Sequence, residues 1–396
     1  MEFHISDKMQ GMKPSIIREI LKQMSDPTLI SFAGGNPAAD SFPAKEIARF
    51  SDELLRENPA ATLQYSLTEG VPSVREAIRA FANRHEPAAK ESDTVLIVSG
   101  SQQILDFTAK CLCNEGDVVA VEDPAFLGAY NAFRSCGARL AGVPMEADGV
   151  DLAALEAVFA AKEKPRFFYC IPNFQNPTGR TMSLAKRKAV YALGVRYGVP
   201  VLEDDPYGEL RISGERLPSI KSMDTEGAVI YAGSFSKILC PGMRLAYCVC
   251  REDLARHFVV AKQCADVHTN VWAQRVCEAM LTRTDMEAHL RAIRAIYTAK
   301  AKLMMAQLDK KCPEIRYSVP EGGMFLWATL PEGMEMPAFV RECLARKLAL
   351  VPGNAFQVDE EAPCQSFRMN FSTPTPEQIE RGVSIMADVL HAMQHA

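Results

Sequence analysis

The sequence lacks an excess of basic charge: 44 Lys+Arg stand against 49 Asp+Glu, a net charge of −5 over 396 residues. That argues against a nucleic-acid binder, which needs a basic surface to neutralise phosphates. No uninterrupted apolar run approaches the ~18 residues of a membrane-spanning helix. The opening MEFHISDKMQ has neither the basic start nor the apolar stretch of a secretory signal. The twelve cysteines include no C-x-x-C, so a closed zinc site has almost no support and no metal is expected. Several cysteines sit in apolar runs such as AYCVC (246–250), where they read as small buried hydrophobes. These absences together predict a cytoplasmic protein with reduced thiols, no membrane contact and no nucleic-acid partner.

The sequence does contain a long alternation of short apolar runs and helical patterns. The runs are TVLIVSG (94–100), DVVAVED (117–123), ARLAGVP (138–144), RFFYCIP (166–172), VPVLEDD (199–205), AVIYAGS (228–234) and RLAYCVC (244–250). Most are nearly continuously apolar, as strands covered on both faces are. Helical spacing separates several of them, at 102–112, 152–161 and 184–198. The pattern predicts an α/β domain with a mostly parallel, seven-stranded sheet. A long helical stretch comes next, from about 252 to 309. Beyond Pro313 the runs GGMFLWATL (322–330) and SFRMNFS (366–372) surround a helix at 337–347, which predicts a smaller α+β domain. The first 45 residues, with one helical run at 14–24 and a Gly/Pro-rich FAGGNPAADSFP, read as an arm. The expected division is 1–45 arm and part of the small domain, 46–285 large domain, and 286–396 small domain.

In an open parallel sheet, ligands bind beyond the carboxyl ends of the strands. The residues just past each strand are therefore informative. Ser99-Gly100-Ser101-Gln102-Gln103 opens a helix after the first run, and Pro124-Ala125-Phe126 lies past the second. Asn173-Phe174-Gln175-Asn176-Pro177-Thr178-Gly179 lies past the fourth, Asp204-Asp205-Pro206-Tyr207 at the end of the fifth, and Ser234-Phe235-Ser236-Lys237 at the end of the sixth, with Arg244 seven residues on. Each piece alone has an ordinary reading. S-G-S-Q can be a phosphate cradle or an N-cap. N-P-T-G can be a turn, Asp204 a salt-bridge partner, and Lys237 a solvated surface lysine. Their conjunction, in order and at strand ends, suits an anionic, aromatic cofactor.

The order GSQQ, DPAF, NFQNPTG, EDDPYGEL, SFSK with Arg244, and FRMNFS resembles the fold-type I pyridoxal-phosphate (PLP) aminotransferases. Within them it is similar to the branch of α-aminoadipate and kynurenine aminotransferases, which ISFAGGNPAADSFP and LQYSLTEGVPSVREAI also fit. The resemblance implies roles by motif. Lys237 would carry pyridoxal 5′-phosphate covalently and act as base, and Asp204 would pair with its ring nitrogen. Tyr207 and Asn176 would hydrogen-bond the ring oxygen, and Phe126 would stack on the ring. Ser101, Gln102, Ser234, Ser236 and Arg244 would hold the phosphate. Arg368 would clamp the substrate α-carboxylate, and Gly35 would let backbone approach the substrate closely. Tyr65 would reach the cofactor of a neighbouring subunit, which implies a homodimer with active sites at its interface.

The expected reaction is ping-pong transfer of an amino group from an L-amino acid to a 2-oxo acid, with 2-oxoglutarate as the expected acceptor. Arg18, on the helical run of the arm, is either a partner for a substrate's distal carboxylate or a surface residue. Asn36 stands where relatives carry leucine. Two other outcomes fit parts of the pattern: a β-lyase or decarboxylase on the same fold, and a PLP-sensing regulator. The regulator would need a DNA-binding helix-turn-helix ahead of the domain.

Overall fold

The computed structural model describes residues 3–10, 26 and 28–394. The helical run at 14–24, with Arg18, lies outside the described residues. Strand β1 (Ile30–Ser31) is followed by β2 (Asp93–Val98), β3 (Val118–Asp123), β4 (Arg139–Glu146), β5 (Gly149–Val150), β6 (Phe168–Cys170), β7 (Val201–Asp205), β8 (Val229–Ser234) and β9 (Ala246–Arg251). Strands β2 to β9 form one sheet in the order β2-β9-β8-β7-β6-β3-β4-β5. The core pairs β4/β3, β3/β6, β6/β7 and β7/β8 are parallel. Strand β9 runs antiparallel to both β8 and β2. All seven expected runs are strands, and a two-residue eighth is added. Gly149, at φ +124°, turns the chain back so that β5 pairs antiparallel with the end of β4.

Alternation along these strands splits the interior in two. Val119, Val121, Tyr169 and Leu202 enter one apolar core, while Ala120, Phe168, Cys170 and Val201 enter the other. Successive side chains on a strand point to opposite faces, so helices must cover both. The helix Leu184–Tyr197 shows how its ends are set. The Ser183 hydroxyl accepts from the Lys186 N–H, and Gly198 closes the other end in the left-handed conformation.

The stretch read as one long helical segment is three helices, Glu252–Ala265, Val271–Arg283 and Met286–Lys311. Between the first two, Val267 takes φ +65° and the Asn270 side chain caps the next helix at Ala273. Asp285 caps the third at Ala288. Apolar spacing runs through both breaks, which is why the segments merge in the sequence.

The C-terminal part carries β10 (Arg316–Tyr317), β11 (Phe325–Thr329), β12 (Leu348–Ala349), β13 (Val351–Pro352) and β14 (Ser366–Asn370). Strands β10, β11, β14 and β13 make an antiparallel sheet. Strand β1 pairs with β12, and the Asn370 N–H donates to the Phe32 carbonyl at 2.7 Å. The N-terminal segment is thereby joined to the C-terminal sheet. Among the described residues, no helix is long and apolar enough to cross a membrane, and no cluster of His, Cys, Asp and Glu could hold a metal. All twelve cysteines are unpaired.

Candidate active site

The carboxyl ends of β7 and β8, the start of helix Ser101–Leu112, and strands β11 and β14 surround a cleft of about 260 Å³. It is lined by Gly35, Ser101, Gln102, Phe126, Asn176, Asp204, Tyr207, Ser234, Ser236, Lys237, Arg244 and Arg368, all expected from the sequence. Ile171, Pro206, Pro241 and Phe325 complete the lining. Two expected residues are not among these. Arg18 lies outside the described residues. Tyr65 is 84% exposed, its ring edge-on to His268 at 5.6 Å.

Lys237 is half-buried, and its Nζ donates to the Gly35 carbonyl at 2.7 Å. Burial, followed by the charges of Arg368 and Arg244, brings its pKa down to about 8. Gly35 therefore enters the site through its carbonyl. A Cβ there would rest an ordinary 3.7 Å from Phe325, so space does not demand glycine. The neighbouring Asn36 is exposed, and its carbonyl accepts from the hydroxyls of Ser372 and Thr373 at 2.8 and 2.7 Å.

Asp204 ends its strand inside the protein. Its Oδ2 accepts from the Tyr169 hydroxyl at 3.0 Å, while Oδ1 is buried with no partner. Burial raises the pKa of this carboxyl to about 7. An orphaned buried carboxylate oxygen is costly unless a donor meets it. A protonated ring nitrogen is such a donor, and its positive charge would favour the ionised acid.

Arg368 on β14 is fully enclosed. Its guanidinium stacks on Phe325 at 4.3 Å and Phe356 at 4.7 Å. Nη1 donates to Asn176 Oδ1 and Nη2 to the Ala33 carbonyl, each at 2.7 Å, while Nε has no partner. Guanidinium has five donors, so three are uncommitted. Burial draws its pKa to about 10, and it stays cationic at neutral pH. Burial pushes the pKa of the Tyr207 phenol up, and its ring meets Phe325 edge-on at 5.9 Å.

The opposite end of the cleft is a ring of N–H, hydroxyl and guanidinium groups. Helix Ser101–Leu112 has no side-chain cap, which leaves its first N–H groups to a ligand. Gly100 precedes it at φ +88°, and a Cβ there would sit 2.0 Å from Arg244 Nη2. Arg244, itself left-handed at φ +52°, faces this loop. The Ser234 hydroxyl accepts from the Ser236 N–H at 3.2 Å. Gln102 donates to the Gly128 carbonyl at 2.7 Å beside Phe126. An amine, an orphan carboxylate, a fenced guanidinium and an anion cradle fit pyridoxal 5′-phosphate with an amino-acid carboxylate.

Sequence reasoning missed Tyr169 and Phe325. Tyr169 is two residues into an apolar run and reads as core; only its pairing with β7 places it beneath Asp204. Phe325 belongs to a separate sheet that nothing local ties to the cleft. Cys240, three residues beyond Lys237, packs against the apolar core and does not line the cleft.

The family described as aminotransferase class I and II matches residues 27–386. Over 386 residues, 96% of this chain and 95% of the relative, the chain is 39% identical to a 2-aminoadipate transaminase of Thermus thermophilus. It is 35% identical over 394 residues to aromatic-amino-acid aminotransferase 1 of Thermococcus litoralis, covering 98% and 94% of the two chains. Among solved structures, a multiple substrate aminotransferase from Thermococcus profundus matches with a TM-score of 0.94 at 33% identity, over 99% of this chain and 98% of that one.

Proposed function

The chain belongs to the class I and II aminotransferases, and we propose that it moves the amino group of an acidic or aromatic L-amino acid to 2-oxoglutarate. It is a PLP-dependent transaminase. The names of its relatives, 2-aminoadipate and aromatic-amino-acid aminotransferases, support that choice of donors.

When bound, PLP supplies an aldehyde that carries the amino group and an electron-poor ring that takes up the electron pair left at Cα. The chain's own residues do the rest. Lys237 Nζ would hold the cofactor and, as a free amine, would take the proton from Cα. An amine with a pKa near 8 is far better suited to that than an ordinary lysine. Asp204 Oδ1 would accept from the ring nitrogen and keep it protonated. Asn176 and Tyr207 would donate to the ring oxygen, and Phe126 would cover the ring. Ser101, Gln102, Ser234, Ser236 and Arg244 hold the phosphate. The uncommitted donors of Arg368 bind the substrate α-carboxylate and orient Cα. The observation that carries this reading is the orphan Oδ1 of Asp204 in the same cleft as the depressed amine of Lys237.

We read the molecule as a cytoplasmic homodimer, divided into arm (1–45), large (46–285) and C-terminal (286–396) parts. The pairing of β1 with β12 supports the joint role of arm and C-terminal part. Leu63, Tyr65, Leu67 and Val267 are 71%, 84%, 54% and 51% exposed, and such an apolar patch is expected to be covered by a partner. A second copy would bring Tyr65 to the neighbour's phosphate. Twelve unpaired cysteines suit a reducing compartment.

The test is direct. Purified protein should be yellow, and borohydride should fix the cofactor to the peptide holding Lys237. Amino acids added singly should bleach that colour, with acidic and aromatic ones fastest. A colourless protein without a reducible adduct would end this reading.

A further inference from the structure

Lys262, on the helix Glu252–Ala265, is fully buried yet does not line the cleft. Its ammonium is ringed by acceptors: Gln103 Oε1 at 2.9 Å, Asp266 Oδ1 and Oδ2 at 2.8 and 3.0 Å, and Thr269 Oγ1 at 2.9 Å. The same acceptors grip Ser99. Its N–H donates to Gln103 Oε1 at 2.9 Å, and its hydroxyl donates to Asp266 Oδ2 at 2.5 Å and lies 3.2 Å from Thr269 Oγ1. Ser99 is the last residue before the Gly100-Ser101-Gln102 turn that opens the cradle.

An apolar side chain would fill this position with a smaller desolvation cost than a lysine. What the ammonium adds is orientation. It turns the oxygen of Gln103 and both oxygens of Asp266 toward one point, so Ser99 is held by backbone and side chain at once. We propose that Lys262 is a positioning residue for the cofactor phosphate: through Gln103 and Asp266 it sets the Ser99–Ser101 backbone, so that the cradle is formed before the phosphate arrives. A loop ordered in advance binds more tightly, because less freedom is lost on binding. This rests on the reading of the helix start as the phosphate site.

The test compares PLP with pyridoxal, which keeps the ring and aldehyde but lacks the phosphate. Cofactor-free protein is titrated with each by absorbance, for wild type, Lys262→Met, Ser99→Ala and Arg244→Ala. In Lys262→Met and Ser99→Ala, affinity for PLP should fall roughly tenfold, the scale of one charge-assisted hydrogen bond. Affinity for pyridoxal should hold, so the preference for PLP contracts. An unchanged preference in folded Lys262→Met overturns the proposal, as does an unchanged preference in Ser99→Ala. So does an equal loss for both ligands, which a merely structural lysine would give. Should Lys262→Met fail to fold, Ser99→Ala decides, since it leaves the Lys262–Asp266 pair intact. Should Arg244→Ala leave the preference untouched, the phosphate site itself is misplaced, and the role of Lys262 falls with it.

Discussion

Asn176 and Arg368 meet across 192 residues of chain, Nη1 of the arginine donating to Oδ1 of the amide at 2.7 Å. Because the oxygen of Asn176 is taken, its Nδ2 is the end left to serve a ring oxygen. The guanidinium carbon lies 4.3 Å from the Phe325 ring and 4.7 Å from the Phe356 ring while it does this. One contact therefore orients two groups of the site.

Arg368→Lys should show the value of that geometry. An ammonium is a compact point charge and cannot satisfy Asn176, Ala33 and a carboxylate in a fixed fork. The loss should be about 2–5 kcal/mol in kcat/KM, carried largely by KM, as for a broken buried charge pair. Steady-state kinetics with L-glutamate check it, and an unaltered KM would show that the carboxylate binds elsewhere.

Lys237→Ala should lower transamination by about 10³-fold or more, the scale of a lost general base, while the phosphate cradle still binds PLP reversibly. Near-normal turnover would mean the lysine is misassigned.

The amine also sets a pH dependence. Its pKa of about 8 lies below that of an ordinary lysine, and the neutral form is the nucleophile. Roughly one amine in ten is then neutral at pH 7, against about four in ten thousand for an ordinary lysine near 10.4. Capture of PLP by cofactor-free protein should therefore quicken about tenfold per pH unit up to about pH 8 and level off above it. Stopped-flow absorbance measures this, and a rate still climbing steeply beyond pH 9 would contradict the assignment.

Asp204→Asn should keep PLP bound but lower kcat by about 10²-fold or more, because an amide cannot hold a ring proton by charge. Tyr169→Phe removes only the donor to Oδ2 and should cost roughly tenfold or less. The order of the two effects is the check: an equal or larger loss in Tyr169→Phe would mean that Asp204 is not the group in contact with the ring.

Tyr65→Phe should weaken PLP binding by about tenfold if its hydroxyl meets the neighbour's phosphate. Sedimentation should show a dimer, and hybrids of Tyr65→Phe with Lys237→Ala chains should carry one intact site, which joins the wild-type Lys237 of one chain to the wild-type Tyr65 of the other, and one site with both changes. A monomer with full cofactor affinity would refute the shared site.

Much of this was legible because strand ends are local features. An apolar run followed by Ser-Phe-Ser-Lys or Asp-Asp-Pro-Tyr needs no partner to be noticed, and the parallel order then gathers those ends on one edge. What stayed hidden depends on register. Tyr169 meets Asp204 because β6 lies beside β7, and Phe325 meets Arg368 because β11 and β14 pair, Phe325 opposite Asn370. The break at Val267 was invisible for a different reason, since a β-branched residue rarely adopts a positive φ. Nothing local sets Lys262 apart from the other charges of its helix, because its acceptors lie far away at Gln103 and close by at Asp266, outside that helix.

The cleft takes its atoms from Ala33 and Gly35 near one end of the chain, from Asn176, Asp204 and Lys237 in the middle, and from Arg368 near the other. Unfolding any of these segments empties it. Occupancy should thus be felt as a change in melting temperature for the molecule as a whole. A ligand at a hundred times its dissociation constant adds about 2.7 kcal/mol to the folded state. That is a shift of several degrees, large enough to rank amino and oxo acids in a plate of melting curves before any turnover is assayed.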